Sequence, residues 1–263
     1  MELKIATLNI KTANTEESAA QTGTILSEIV LEHGIDILFL QEITRFTNMS
    51  IQRAMPNYTL VGERRFDVTK LGQILGSLGI KLNAYNESTP ILSRYPILFS
   101  ETFPLRWIPT NIKELKEGLK PFSIMPRCET TADIALKDLS SENYLTGLST
   151  HVTHTVRSMQ KKQLLDLLEI IRDKASYNNF VMGMDANLEV NDPILKWFTD
   201  ALRELSLERV PVVGKTNGDK YPETTAIDHL YVPTGSIETC GIIHDKRLSL
   251  ITDHKPAYAK INI

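Results

Sequence analysis

The sequence is poor in cysteine, and its two cysteines, Cys128 and Cys240, lie far apart along the chain. Two cysteines are too few for the framework of bridges that stabilises small secreted proteins, and reduced thiols are typical of a reducing compartment. The chain also has no apolar run near the roughly 18 residues that a transmembrane helix needs, and no charged segment followed by an apolar run at its start. These absences predict a cytoplasmic protein without a membrane span.

The sequence has no excess of positive charge, since 29 Lys and Arg residues stand against 32 Asp and Glu residues and the formal net charge is −3. Proteins that bind nucleic acid through bulk charge are usually basic, so this balance disfavours such a protein. It still allows an enzyme whose basic residues surround one cleft. A Walker phosphate loop, a dinucleotide glycine fingerprint and a Gly-x-Ser-x-Gly elbow are absent, so those enzyme classes find no support.

The distribution of turn residues favours a single domain. The chain has 263 residues, and its 12 prolines and 13 glycines are scattered rather than gathered into a linker. A chain of this length can bury a substantial core as one unit. We therefore predict one domain over residues 1–263.

Alternating and continuous apolar runs predict interleaved strands and helices. The predicted strands are 3–9, 36–41, 58–61, 90–93, 97–103, 130–136, 143–151, 180–185, 226–232, 238–243 and 256–263. The predicted helices are 16–33, 156–174 and 193–207. We expect strands 90–93 and 97–103 to pair with each other, and residues 63–88 and 104–127 to form long loops. The simplest arrangement is an α/β fold, a four-layered α/β/β/α sandwich of two packed mixed β-sheets flanked by helices.

Polar residues suited to phosphate chemistry follow several of the predicted strands. Phosphate esters are anionic and slow to hydrolyse, so a catalyst must neutralise charge and orient a water molecule. Divalent cations such as Mg²⁺ prefer carboxylate oxygens, and a histidine held by an aspartate can transfer the proton. The strand-end residues of these types are Asn9, Glu42, His151, Asp185, Asn187, Asp228, Asp253 and His254.

These residues lie in motifs that resemble those of the endonuclease/exonuclease/phosphatase superfamily. The motifs include Thr-Leu-Asn ending at Asn9, Leu-Gln-Glu ending at Glu42, Gly-Met-Asp-Ala-Asn over 183–187 and Thr-Asp-His over 252–254. They stand in the order of the family and span nearly the whole chain. The resemblance implies a hydrolase of phosphate esters that depends on Mg²⁺ or Mn²⁺.

For four residues the resemblance implies a role in binding metal or substrate. Glu42 matches the metal-binding glutamate of the family, and Asp253 is expected to be a second metal carboxylate. Asn9 matches the asparagine that orients the metal site or the scissile phosphate, and Arg127 could clamp a phosphate with two N–H groups. The alternatives are a strand-end surface carboxylate for Glu42, a surface turn for Asp253, a turn residue for Asn9 and a surface salt bridge for Arg127.

For five further residues the resemblance implies a catalytic role. Asp185 matches the residue that aligns the attacking water or protonates the leaving oxygen, and Asn187 matches the amide that holds the phosphate. His254 is expected to be a general base or a phosphate stabiliser, with Asp228 holding it in one tautomer. His151 matches a phosphate-contacting histidine of the sphingomyelinase, deoxyribonuclease and deadenylase branches. An Asx turn would explain Asp185 or Asn187 alone, but not their shared motif. The alternatives are a surface turn for His254 and a solvated strand residue for Asp228.

Some details bear on the branch of the superfamily. Lys11 stands where apurinic endonucleases have a carboxylate, which disfavours direct transfer of their metal arrangement to this chain. His151 stands near the position of their tyrosine, which disfavours abasic-site repair. Residues 86–91, followed by Met125-Pro126-Arg127, resemble a bacterial-type branch. His154 and His151 have the spacing of a zinc pair but lack further Cys or His partners.

Several basic residues have simpler interpretations. We interpret Arg64, Arg65 and Lys70 as part of a solvated loop, although they could meet an anionic substrate. His229 is interpreted as a surface residue of a strand.

Three functions remain open. The first is a phosphodiesterase that acts on nucleic acid, and the second is the same chemistry on a small molecule or lipid head group, including phosphomonoesters. The third is a catalytically dead binding module. This hypothesis predicts that some site residues are lost, whereas the sequence retains Glu42, Asp185, Asn187, Asp253 and His254. Arg106-Trp107 is the one candidate contact for a nucleic acid that needs an aromatic-lined groove. We expect a phosphate-ester substrate, with nucleic acid possible, and no obligate protein partner.

Overall fold

The computed structural model describes residues 1–10, 15–65, 86–106, 127–136, 144–154, 156–175, 179–217 and 226–263. The strands of this part of the chain are β1 (Glu2–Asn9), β2 (Ile37–Gln41), β3 (Thr59–Val61), β4 (Ile91–Ser93), β5 (Ile97–Leu105), β6 (Arg127–Ala135), β7 (Tyr144–His151), β8 (Asn179–Asp185), β9 (Leu207–Arg209), β10 (Asp228–Pro233), β11 (Ile237–Ile242) and β12 (Ala257–Asn262). The α-helices are α1 (Glu16–Glu32), α2 (Arg45–Ala54), α3 (Arg157–Ala175) and α4 (Pro193–Arg203).

The strands form two six-stranded mixed sheets, with the orders β11-β12-β1-β2-β4-β3 and β5-β6-β7-β8-β10-β9. Each sheet contains one parallel pair near its centre, β1–β2 in the first and β7–β8 in the second. Parallel neighbours require a crossover connection, and α1 and α3 provide the two crossovers. The predicted four-layered sandwich of two mixed sheets flanked by helices is confirmed.

The parallel pairs determine where the strand-end residues meet. Asn9 pairs with Gln41 at the end of β1 and β2, and His151 pairs with Asp185 at the end of β7 and β8. The carboxyl ends of parallel strands lie at the same edge of a sheet. The residues that follow both pairs are therefore presented together where the sheets are packed face to face.

Phe39 anchors the core between the two sheets. Its ring is fully buried and lies against Gly147 and Gly183 of the facing sheet, where any side chain at position 183 would collide with it. The two glycines thus allow the central strands of both sheets to approach closely. Loss of a fully buried phenylalanine typically costs about 3–5 kcal/mol, so Phe39→Ala is expected to be strongly destabilising.

Helix α1 has clear start and stop signals. The Thr15 hydroxyl accepts a hydrogen bond from the Ser18 amide at 3.1 Å, and the Ser18 hydroxyl interacts in return with the Thr15 backbone. This reciprocal cap satisfies two amides that no helical carbonyl can reach. The helix ends before Gly34, whose φ of 60° suits glycine.

Helix α2, which begins after Thr44, is not among the helices predicted from sequence. The Thr44 hydroxyl accepts a hydrogen bond from the Thr47 amide at 3.3 Å. Only Thr47 and Ile51 of this ten-residue helix are buried, and its composition is mostly polar, so the sequence has few apolar positions there that indicate a helix. The helix packs on α1 at Gly23, where a side chain would meet Ser50.

The predicted pairing of strands 90–93 and 97–103 is wrong, although both strands exist. Strand β4 pairs with β2 and β3 in the first sheet, whereas β5 pairs with β6 in the second. Because β4 already has a partner on each side, the chain crosses to the other sheet within residues 94–96.

The predicted helix over 193–207 is too long. Helix α4 ends at Arg203, and β9 follows at Leu207. The φ of 59° at Ser206 is incompatible with right-handed helical backbone, so the helix cannot extend to residue 207. Most of the loops predicted over 63–88 and 104–127 lies outside the described residues, as do Lys11, Lys70 and Trp107. Across the described ranges, none of the helices has the length and apolarity to cross a membrane.

Candidate active site

Asn9 connects the two sheets at the edge where the parallel pairs end. Its side-chain amide donates one hydrogen bond to Glu42 Oε1 at 3.1 Å and another to Asp185 Oδ2 at 2.8 Å. Only 2% of Asn9 is exposed, and its bond to Asp185 is buried, whereas its bond to Glu42 is partly buried. One buried amide therefore fixes the relative positions of two carboxylates from different sheets.

Glu42 adopts a backbone conformation that is rare for a side-chain-bearing residue. Its φ is 59°, in the left-handed region that favours glycine, and such strain costs on the order of 1–3 kcal/mol. About a quarter of its side chain is exposed, so the carboxylate faces the solvent side of the site. Strain of this kind is often found where a side chain must be aimed at a ligand.

His254 and Asp228 form the predicted histidine–carboxylate pair. Asp228 begins β10 opposite Asp185 of β8, and its Oδ2 lies 2.9 Å from His254 Nδ1. Burial lowers the pKa of His254, but the charge of Asp228 and its hydrogen bond, with Asp185 and Asp253, outweigh burial and raise that pKa to about 10. His254 is therefore an imidazolium at neutral pH.

The loop that carries His254 is tied to the end of β1. The His254 amide donates to the Thr252 hydroxyl at 3.0 Å, and that hydroxyl donates to the Asn9 carbonyl at 2.6 Å. Asp253, between them in sequence, is half-buried, and its charge contributes to the raised pKa of His254.

Asp185 is almost fully buried, with 1% of its surface exposed. Burial raises the pKa of Asp185, and the neighbouring Asp228 carboxylate raises it further, against the opposing effects of His254 and Asn9. Asp185 Oδ1 also accepts a hydrogen bond from the Asn187 amide at 2.9 Å. This carboxyl can therefore exchange a proton nearer to neutral pH than an ordinary aspartate.

Asn187 and Arg127 approach the His151 ring from its two nitrogens. Asn187 Nδ2 lies 3.0 Å from His151 Nε2, and Arg127 Nη1 lies 2.9 Å from His151 Nδ1. Burial lowers the pKa of His151 well below its usual value, and the charge of Arg127 lowers it further. His151 is therefore neutral at neutral pH, in contrast to His254.

Arg65 and His229 are buried, whereas the sequence led us to expect both at the surface. Arg65, expected in a solvated loop, is only 5% exposed and forms an ion pair with Glu87. Its charge lies close enough to Arg127 to lower the pKa of that buried guanidinium, after burial, to about 10. His229, expected at the surface of a strand, is buried, and its Nε2 lies 2.9 Å from the Leu188 carbonyl. It plays no part in the site.

The donor set suits a hard divalent cation. Asp185, Asp228 and His254 have oxygen or nitrogen atoms within 4.8 Å of one another, but the imidazolium of His254 has no lone pair for a metal, so the carboxylates are the donors. Glu42 and Asp253, the two predicted metal ligands, are not part of that group in the described ranges. Within the same ranges the buried Asp228 Oδ1 has no hydrogen-bond partner. Carboxylate oxygens of this kind are preferred by Mg²⁺ and Mn²⁺.

Every predicted site residue lies at this edge of the sandwich, but some of their contacts were not predicted. The sequence motifs contain Arg127 and His151 without indicating that they touch. Glu87 belongs to the 86–91 motif, but no local sequence pattern indicates that it forms an ion pair with Arg65. A buried partner for a buried arginine can be found only from the fold.

Comparison with known proteins agrees with this geometry. The model of the Endonuclease/Exonuclease/phosphatase family matches residues 6–254, so the chain belongs to this family. Its members are hydrolases that act on phosphate esters, as nucleases or phosphatases. A search of curated proteins finds no match.

Solved structures share the fold at low sequence identity. A family member from Bacteroides vulgatus has a TM-score of 0.76 at 17% identity, covering 100% of this chain and 99% of that one. A mannosyl-6-phosphatase from Bacteroides thetaiotaomicron has a TM-score of 0.68 at 16% identity, covering 99% and 100%. TDP2 from D. rerio, complexed with a single-strand DNA product, has a TM-score of 0.65 at 15% identity, covering 100% and 99%. Similarity at this level of identity concerns the fold.

Proposed function

We propose that the chain is a divalent-metal-dependent hydrolase of phosphate esters, acting first of all as a phosphodiesterase. The observation that carries the proposal is the double hydrogen bond of Asn9 to Glu42 and Asp185, beside the His254–Asp228 pair. A carboxylate array next to a cationic histidine is what the charge of a phosphate and the proton transfers of its hydrolysis require.

The site residues fall into two groups, those that would hold the cation and those that would transfer protons. Glu42 and Asp253 would hold the cation, which supplies neutralisation of the phosphate charge when bound. Water forms the new P–O bond while the bond to the leaving group breaks. The sequence led us to expect His254 as the general base, but a histidine with a raised pKa carries its proton at neutral pH. In our proposal Asp185 therefore accepts the proton of the water, and the imidazolium of His254 gives its Nε2 proton to the leaving oxygen. Asp228 keeps His254 oriented throughout.

A small phosphate ester is the second candidate substrate. The groove next to Glu42 is lined by Thr44, Arg45, Asn48, Met49, Gly62, Glu63, Arg64 and Ser88. This set contains no aromatic side chain, whereas non-specific binding of single-stranded nucleic acid usually relies on aromatic stacking. The net charge of −3 points in the same direction.

A substrate panel separates the candidates. Plasmid DNA, single-stranded RNA, bis-p-nitrophenyl phosphate, sphingomyelin and sugar or inositol phosphates would each be incubated with Mn²⁺ or Mg²⁺. Cleavage of polymers supports the nuclease, and turnover of small esters alone supports the second candidate. The site variant in this panel is His254→Ala. His244→Ala is its matched control, because His244 is exposed and its loss should leave all rates unchanged. Lack of activity on every substrate would favour the binding module and contradict the proposal.

A further inference from the structure

Arg127 donates a hydrogen bond to His151 inside the site. The two atoms, Nη1 and Nδ1, are 2.9 Å apart, and the residues are 7% and 4% exposed. A guanidinium has five N–H donors and no acceptor, so Nδ1 must supply the lone pair of this bond. A neutral imidazole carries one proton, and that proton must then be on Nε2.

We propose that Arg127 is a positioning residue that holds His151 as the Nε2–H tautomer, so that His151 donates a hydrogen bond to an oxygen of the substrate phosphate. The proposal rests on the proposed function. It gives Arg127 a role different from the bidentate phosphate clamp expected from sequence, because its action on the substrate passes through His151.

Both ring nitrogens of His151 face a donor, because Asn187 Nδ2, which bonds to the Val152 carbonyl at 2.9 Å, lies 3.0 Å from Nε2. A neutral imidazole can accept through only one nitrogen. The charged guanidinium is the stronger donor, so we assign the lone pair to Nδ1 and the proton to Nε2, where a phosphate oxygen could accept from both Nε2–H and the Asn187 amide. Asp185 Oδ2 lies 3.5 Å from Nε2, at the outer limit of a hydrogen bond. Among the described residues, Nε2–H therefore lacks a close acceptor, and a buried donor without one costs free energy that a phosphate oxygen can recover.

The backbone gives this contact a fixed geometry. Arg127 begins β6 and His151 ends β7, and these strands are antiparallel neighbours, with Glu129 opposite Thr150. The Arg127 Nε is buried without a partner in the described ranges, so the bond to His151 is the hydrogen bond that orients the guanidinium there. Burial and the charge of Arg65 lower the pKa of Arg127. Three carboxylates act in the opposite direction and keep the guanidinium within the site, those of Glu87, Glu42 and Asp185.

The tautomer can be read directly in the wild-type protein by ¹⁵N NMR of the histidine side chains. His151→Gln identifies the His151 signals by their loss. We expect Nδ1 to show the resonance of an unprotonated nitrogen and Nε2 that of a protonated one. In Arg127→Met this preference should be lost, and in Arg127→Lys, which keeps a donor, it should be at least partly retained. A protonated Nδ1 in the wild type would overturn the proposal without any variant having to fold.

A double-mutant cycle tests the functional consequence with bis-p-nitrophenyl phosphate as substrate. We expect His151→Ala to lower kcat/KM by about 10²-fold and Arg127→Met by about 10-fold or more. Because Arg127 acts through His151, the double variant should be no worse than His151→Ala alone. Losses that multiply in the double variant would mean that Arg127 contacts the phosphate independently, and would overturn the proposal. Arg203→Met, at an exposed position of α4, is the matched control and should have wild-type kinetics.

The two readouts separate this proposal from the proposed function. If no substrate is hydrolysed by the wild type, the proposed function fails, while the NMR spectrum still decides the tautomer. If hydrolysis is found and the spectrum shows a protonated Nδ1, the proposed function stands and the role of Arg127 fails.

Discussion

The two histidines of the site have partners of opposite charge. His254 Nδ1 faces the Asp228 carboxylate, whereas His151 Nδ1 faces the Arg127 guanidinium, both at 2.9 Å. The carboxylate outweighs burial and raises the pKa of His254 to about 10, whereas burial and the guanidinium both lower the pKa of His151. The same side chain thus becomes a cation in one place and a neutral donor in the other, which suggests that only His254 takes part in proton transfer.

The largest effect should follow from removing the proton-transfer groups. His254→Ala or Asp185→Ala should lower kcat by roughly 10²–10⁴-fold, the usual scale for a lost acid or base, while circular dichroism shows an intact fold. His244→Ala and Asp200→Ala, at exposed positions, are the controls. Full activity in either site variant would contradict the roles assigned to His254 and Asp185.

Asp228→Asn would remove the charge that distinguishes His254 from His151. Without the carboxylate, the pKa of His254 should fall, so its imidazolium is lost at lower pH. We expect kcat to decrease by roughly 10–10²-fold at pH 8 and the alkaline limb of the pH–rate profile to move to lower pH. The profile should be measured from pH 5 to 10, with Asp200→Asn as control. An unchanged alkaline limb would show that Asp228 does not set the charge of His254.

Glu129 extends the comparison to a buried ionisable group without a hydrogen-bond partner among the described residues. It is 0% exposed, and neither carboxylate oxygen has a hydrogen-bond partner in the described ranges. Burial raises the pKa of Glu129 to about 8 from an ordinary 4.5. The folded state therefore binds this proton more tightly, so stability falls as pH rises from about 4.5 and levels off above about 8.

Glu129→Gln should relieve this penalty with little effect on turnover. The melting temperature should rise by a few degrees at pH 8 and change little at pH 5, as measured by thermal unfolding at both values. Glu204→Gln, at the exposed residue that follows α4, is the control. Equal shifts at both pH values would show that Glu129 is not buried as a neutral acid.

The sequence could predict the fold and the membership of the site because both depend on local patterns. Asn9 and Asp185 each end an apolar strand, and parallel pairing then brings such strand ends together. The sequence could not predict which side chains touch across the sheets. Helix α2 was missed for lack of buried positions, and the position of β4 was wrong because its partners, β2 and β3, come earlier in the chain. The contact between Arg127 and His151, 24 residues apart, likewise depends on strand pairing.

The most direct test of the central claim is the metal dependence of phosphate-ester hydrolysis. Purified wild-type protein would be assayed with bis-p-nitrophenyl phosphate, or the best substrate of the panel, with Mn²⁺, with excess chelator, and after Mn²⁺ is restored. We expect turnover with Mn²⁺, its loss in chelator and its recovery on readdition, since the Glu42 and Asp253 carboxylates would hold the ion that neutralises the phosphate. Full turnover in excess chelator would contradict the account.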